Sequence, residues 1–392
     1  MNTKQYDSYI AVTDWLQQRD QPVVITLTEI LEPSGGPGTV IFPPTYARRG
    51  GDHPYAISVF RSDLAAEAAA AQGLEANICD LDSVGSQANR MEPTFAEPPL
   101  NSLVPQRVIK AGSATVNLLQ IGHRIADGAV RFSALAEGAA KAITALATDH
   151  DATALARLAP TSIVFGFWDS RDSMLKYPRI VNSTIRASNV AVLKRSAQFN
   201  PAFDPASLSL AEAADLQSAP AQDEKDPLSQ EGLRAAPAVD THGGVRVFGR
   251  IIRRTEINLV TLRSVAVTKA GKIDAAETLK LRRYLLGLSL VAGRVQNAYN
   301  LRQGCLLVPM ADPAPAAQVI LPSGQRPPFT WEFGPSYEFA QAAAKDFGVW
   351  SKDPVAEEFT FQPDKVKAAL KVKTDEKAAK KAAKEAKKKS AA

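Results

Sequence analysis

The chain has 392 residues, 45% of them hydrophobic and 22% charged, an ordinary globular mixture long enough for one large or two ordinary domains. That composition excludes disorder of the whole chain, and no apolar run approaches the roughly 18–20 residues of a membrane helix. The net charge of +5 is a poor guide, because residues 371–392 hold nine Lys against Asp375, Glu376 and Glu385 and leave the rest of the chain at −1.

VVITLTEIL (23–31) is β-branched and apolar and predicts an opening strand. SGGPGTVIFPPTYARRGGDHP (34–54) predicts a long loop or irregular hairpin, and AISVF (56–60) a second strand. Asp63 to Glu92 reads as helical, with Leu81, Val84, Ala88 and Met91 on one face, Ser83, Ser86 and Arg90 opposite, and Gln87 on the flank. ATVNLLQIGHRIA (114–126) predicts a strand running into a turn at Asp127 and Gly128. The helix after it places Phe132, Leu135, Ala139, Ile143 and Leu146 at core spacing.

TSIVFGFW (161–168) predicts a buried strand ending in Asp169, and residues 199–244, rich in Pro, Ala and acids, a long insertion. VRVFGRIIRR (245–254) alternates: Val245, Val247, Gly249 and Ile251 share one strand face, and Arg246, Phe248, Arg250, Ile252 and Arg254 the other. ETLKLRRYLLGLSLVAGRV (277–295) carries a stripe of Leu281, Leu285, Leu288, Ala292 and Val295 and predicts a helix packed on a sheet. A strand QVILP (318–322), a helix near Tyr337 to Asp346 and the lysine/alanine tail complete the chain. This order predicts an α+β fold, an antiparallel sheet with helices on one face, in one domain over 1–370 with insertions at 34–54 and 199–244 and a tail at 371–392.

Charge is segregated along the body. Residues 169–195 carry a net +4, residues 201–244 a net −6 and residues 245–283 a net +7. Segregation of this kind focuses a field on one groove. Three stretches, LDSVGSQANRME (81–92), GHRIADGAVRFS (122–133) and IVFGFWDSRDSMLKYPRIVNSTIR (163–186), set arginine, amide and hydroxyl side chains beside apolar anchors. Guanidinium and amide donors match phosphate and base edges, and aromatic neighbours offer stacking faces.

Signs of catalysis are lacking: there is no GxxxxGK[ST], HExxH, CxxC or GxSxG motif. Cys79 and Cys305 read as reduced structural thiols, and His53, His123, His150 and His242 are not at ligand spacing, so no metal or cofactor is expected. The start MNTKQYDSYIAV has no basic region followed by an apolar one, and the expectation is a cytoplasmic protein.

Taken in order, the SQANR cluster, HRIADGAVRFS, APTSIVFGFWDSRD and HGGVRVFGRIIRR resemble the backbone subunit of type I-G (formerly I-U) CRISPR surveillance complexes. This is the Cas seven branch of the repeat-associated (RAMP) RNA-binding superfamily, and the resemblance runs from about Val23 to Pro309. It implies a modified RRM-like, ferredoxin-like core with inserted finger and thumb segments. It also implies a protein with no catalytic group that polymerises head to tail along guide RNA (crRNA) beside other subunits and presents the guide to target DNA. A backbone grip of this kind needs a positive track and side chains that stack or wedge bases.

On that basis Gln87, Asn89 and Arg90 are expected to contact the RNA backbone or 2′-hydroxyls, although these residues also fit the solvated face of a helix. Arg124 and Arg131 are RNA contacts or structural partners of Asp127. Arg171, Lys176 and Arg179 are expected on phosphates, Trp168 on a base or in the core, and Arg186, Lys194 and Arg195 in the same basic stretch. Arg246, Arg250 and Arg254 share a face that serves RNA or a neighbouring subunit. Residues 199–244 are the expected thumb, with the loop at 34–54 as its rival. Two other readings stand beside this one: a RAMP-type endoribonuclease using Asp169 or Asp172, and a general nucleic-acid binder acting through the tail.

Overall fold

The opening strand becomes the centre of the core. In the computed structural model, which describes residues 14–17, 21–47, 54–200, 202, 231–233, 236–295, 298–372 and 374, β1 (Val24–Pro33) pairs along one side with a strand far away in sequence. The sheet also contains β2 (Ala56–Val59), β3 (Asn77–Asp82), β4 (Val181–Ser188), β5 (Ile251–Asn258), β6 (Tyr299–Arg302), β7 (Cys305–Pro309) and β8 (Ala316–Ile320). The order across it is β6-β7-β1-β5-β4-β3-β2, with β8 also on β1, and every pairing is antiparallel.

The four middle positions, β7/β8, β1, β5 and β4, carry the strands in the spatial order 4-1-3-2 of a ferredoxin-like βαββαβ unit. Helices fill the two crossovers. Between β1 and β4 lie α1 (Val84–Met91) and α2 (Pro160–Phe165), and between β5 and β7 lies α3 (Ala275–Arg294). The α+β expectation, an antiparallel sheet with helices and long inserts, agrees with this architecture.

Alternation decides which face the helices cover. Ile25 and Leu27 of β1, Val181 of β4 and Ile257 of β5 pack with Leu281, Leu285 and Leu288 of α3 in one apolar cluster. A second cluster on the same strands joins Leu31, Ile185, Ala187 and Ile251 to Cys79, Cys305 and Ile41. Burial pushes both thiols up to about 12, which keeps them protonated. The far side of α3 is closed by α4 (Phe333–Phe347), so close that a Cβ on Gly287 would lie 2.6 Å from the Cα of Ala340.

Three local expectations were wrong, for physical reasons. The strand read over 114–126 ends at Asn117, whose side chain accepts from the Leu119 N–H and caps the 3-10 turn Leu118–Gln120. The helix read over Asp63 to Glu92 is three pieces: a short helix Ala66–Ala71, strand β3 and helix α1. Gly73, at φ 68°, breaks the helical path, and NICDLD then pairs with β2 and β4, so Leu81 belongs to a strand. The strand read at 161–168 is mostly α2, with Pro160 in its first turn and all six residues buried. A short apolar run has no period that separates buried helix from buried strand.

The long insertion begins earlier and ends later than composition indicated. After β4, Asn189 turns the chain into Val190–Phe199, which pairs with Ala236–Val247 as a two-stranded ribbon before β5 begins. Most of 201–235 and the lysine-rich tail beyond 374 lie outside the described residues, as does 48–53 of the first loop. The rest of that loop is tied to the ribbon: Ile41 and Val245 exchange two backbone hydrogen bonds of 3.0 and 2.8 Å. Among the described residues no helix is long and apolar enough to cross a membrane.

Candidate nucleic-acid interface

Beneath the sheet, between its two apolar clusters, lies a polar layer, and it claims several residues expected at the surface. Arg253 of β5 is 0% exposed and donates to the Glu29 carboxylate, to the Gln87 side-chain oxygen at 3.1 Å and to the Gly293 carbonyl at 3.0 Å. Gln87 is fully buried; its amide N–H donates to Asp82 at 2.6 Å and its oxygen accepts from the Ser183 hydroxyl at 2.9 Å. Arg90 donates to Asp82 at 2.9 Å and to the carbonyls of Asn300 and Leu301. Gln87 therefore supports the core and does not reach the surface, while Arg90 clamps α1 to β6 with its side chain still partly exposed. The burial of Gln87 corrects its placement among surface contacts.

Arg124 needs the same correction. It is 3% exposed, donates to Glu92 at 2.6 Å and to the Gly166 carbonyl at 3.2 Å, and lies over the Phe165 ring. The exposed Asn89 accepts from it at 3.2 Å. Asp127, named as a possible partner of Arg124 and Arg131, instead pairs with His123 at 3.4 Å and caps the turn Gly128–Arg131.

Burial pushes the Glu92 carboxyl up to about 7 against the opposing pull of Arg124 and the Thr161 hydroxyl. With the folded value above the ordinary 4.5, the stability this group contributes is fully present below 4.5 and is lost as pH rises through about 7. Glu92→Gln, which fixes the neutral form, is expected to gain stability relative to the wild type between about pH 5 and about pH 9 in urea unfolding. A difference that stays flat or runs the other way contradicts this.

The face of the sheet turned away from the helices gathers the other arginines. Register sets Arg254 of β5 opposite Thr184 of β4, and Ile252 opposite Arg186. These residues, with Ile78, Ser188, Arg250 and the acid Glu75, line a groove of about 200 Å³. Arg186 pairs with Asp80 at 2.7 Å. Arg250 and Arg254 make no ion pair among the described residues. Arg250 also lines a second cleft of about 500 Å³ with Ile30, Glu32, Arg246, Phe248 and Met310. On the ribbon, Arg195 lies 5.4 Å over the Phe42 ring, Arg246 5.0 Å over Phe248, and Lys194 3.9 Å from Asp240. The sequence alternation found this arginine face but missed Thr184 and Ser188, which the same period of two places beside Arg186.

The second group stands on a small hairpin, Phe167–Trp168 paired with Lys176–Tyr177. Gly166, at φ 71°, turns the chain out of α2 into it, and a Cβ there would come within 2.8 Å of Arg179 and of the Tyr177 carbonyl. Asp169 fastens the hairpin loop: its oxygens accept from the N–H groups of Arg171, Asp172 and Ser173 and from the Ser173 hydroxyl. Burial works against this charge, and the hydrogen bonds outweigh it, holding the carboxyl below its usual range. Arg131 pairs with Asp172 at 3.0 Å, while Arg171, Lys176 and Arg179 are exposed.

The expected site residues thus fall into an internal set and two exposed cationic sets. The hairpin lies before β4 and the ribbon after it, so the eight residues of β4 separate them by roughly 26 Å.

The fold defines a ferredoxin-like α+β protein with long insertions and a cationic outer sheet face. Residues 25–192, from β1 to the first residues of the ribbon, match the family described as CRISPR-associated protein GSU0053. The match supports a CRISPR-associated protein with a part in CRISPR defence. It takes in the hairpin and β4, whereas β5 and its arginines lie beyond it. No curated protein matches the chain.

Proposed function

We propose that this chain is the guide-RNA-binding backbone subunit of a type I-G CRISPR surveillance complex. Copies line up head to tail along crRNA, beside other subunits, and present the guide for pairing with target DNA. The observation that carries this reading is the helix-free sheet face on which Arg250 and Arg254 project without an acidic partner among the described residues, continued by Arg246 and Arg195 on the ribbon. Unpaired guanidinium groups along an open groove suit a phosphate backbone and read no sequence. The ribbon between β4 and β5 supplies the arm that reaches a neighbouring copy. Of the expected thumb at 199–244, Phe199 stands exposed at the end of the ribbon, and most of 201–235 lies outside the described residues.

The reading includes no catalytic step. The endoribonuclease alternative loses ground because Asp169 is spent on its own loop and Asp172 on Arg131. Purified protein is expected to bind unrelated single-stranded RNAs of equal length with affinities within about threefold, and to leave them intact with or without divalent metal. The logarithm of affinity should fall linearly with the logarithm of salt, by roughly 0.7 per phosphate held. Strong preference for one sequence, or salt-independent binding, counts against the backbone grip.

A further inference from the structure

The hairpin at 167–177 holds a tryptophan where folding alone gives no reason for one. Its two cross-strand pairs face opposite ways. Phe167 and Tyr177 stack inward, centroids 5.8 Å apart and planes 16° from parallel, which roots the hairpin in the core. Trp168 and Lys176 face outward, with Trp168 56% exposed and Lys176 Nζ 6.0 Å from the ring centroid. Met174 in the intervening loop is 65% exposed. A register shift of one residue would have buried the indole, so the outward placement forgoes about 1.5–3 kcal/mol of burial.

The surroundings of the ring are cationic. The two nearest acids are engaged, Asp169 in loop hydrogen bonds and Asp172 with Arg131, while Arg171, Lys176 and Arg179 stand exposed on the same short segment. The Asp169 lock and the Gly166 turn hold the loop in shape, so docking a flat ligand on the indole costs little ordering. A broad π-face among positive charges is the arrangement that unpaired nucleobases and their phosphates share in binding. A protein partner would gain from the indole but would have to desolvate three cations.

We propose that Trp168 is a stacking platform for an unpaired RNA base, with Arg171, Lys176 and Arg179 holding the flanking phosphates. The hairpin thereby distinguishes single-stranded from paired RNA. This rests on the RNA-binding reading above but concerns a surface roughly 26 Å from the ribbon along β4. Bases inside a duplex keep their faces on one another, so a paired region leaves the platform empty.

The indole also supplies the readout once the part-exposed Trp350 is changed to Phe in every protein titrated, because the remaining Trp15 and Trp331 are 2% and 4% exposed and inaccessible to a polymer. Titrating full-length protein with single-stranded oligoadenylate is expected to quench tryptophan emission, whereas an RNA duplex of the same length leaves it nearly unchanged. Trp168→Phe should abolish the quenching and keep affinity within about threefold. Trp168→Ala should weaken single-strand binding by roughly 5- to 100-fold without changing the salt slope, since an uncharged ring is lost. Wild-type affinity in Trp168→Ala, equal quenching by duplex, or a change in emission on self-association without RNA would each overturn the proposal. Should RNA bind with the expected salt dependence while Trp168 stays silent, only this inference falls. If no RNA binds at all, the proposed function falls with it.

Discussion

Arg253→Ala is expected to destabilise the protein by about 3–5 kcal/mol, because it leaves the Glu29 carboxylate buried with its main partner gone. Glu29 is 3% exposed and among the described residues would retain only Arg294 at 3.4 Å and the Tyr299 hydroxyl at 3.2 Å. The Gln87 oxygen and the Gly293 carbonyl would each lose a donor as well. The residue next in the chain provides the contrast. Arg254 projects from the opposite face of β5 into the outer groove, so Arg254→Ala should stay within about 0.5 kcal/mol of the wild type and lower the salt slope of RNA binding by about 0.7. Urea unfolding and a salt titration of the two variants separate the roles. Equal stability of the two, or loss of slope from Arg253→Ala in folded protein, would contradict the assignment of faces.

That contrast also marks what the sequence could reveal. The alternation of VRVFGRIIRR put Arg246, Arg250 and Arg254 on one face; the structure splits that run at Phe248–Arg250 between the ribbon and β5, and all three arginines stay exposed, with a period of two holding only within each strand. The opposite face was legible as a pattern but not as chemistry. Arg253 meets Gln87 across 166 positions and Glu29 across 224, and Ser183 meets Gln87 across 96. No local period encodes pairs so far apart. The amide and arginine of SQANR therefore resembled an exposed face when Gln87 was a buried hub. The same blindness affected Arg124, whose partner Glu92 lies 32 residues away. The hairpin escaped detection for another reason: TSIVFGFW has no period of its own, and Gly166, the residue that divides helix from hairpin, looks like any other glycine until its φ is known.

The largest functional effect should come from removing the outer track as a whole. Converting Arg195, Arg246, Arg250 and Arg254 together to Gln keeps side chains of comparable length on exposed positions, so the fold should tolerate the change. Affinity for single-stranded RNA near physiological salt is expected to drop on the order of 100-fold or more, and the salt slope to shrink by roughly 3, as four phosphate contacts require. The matching triple change of Arg171, Lys176 and Arg179 to Gln should shrink the slope by roughly 2. Arg195 and Arg246 lie beyond the far end of β4, about 26 Å from the hairpin end and farther than a Debye length of about 8 Å, whereas Arg254, opposite Thr184, stands about 10 Å along the strand, so the effects should add to a first approximation. Additive slopes would place one RNA strand across both surfaces. If the quadruple variant keeps the wild-type slope and the triple variant loses it all, the outer sheet face is free of RNA, and its arginines belong to a contact with another protein chain.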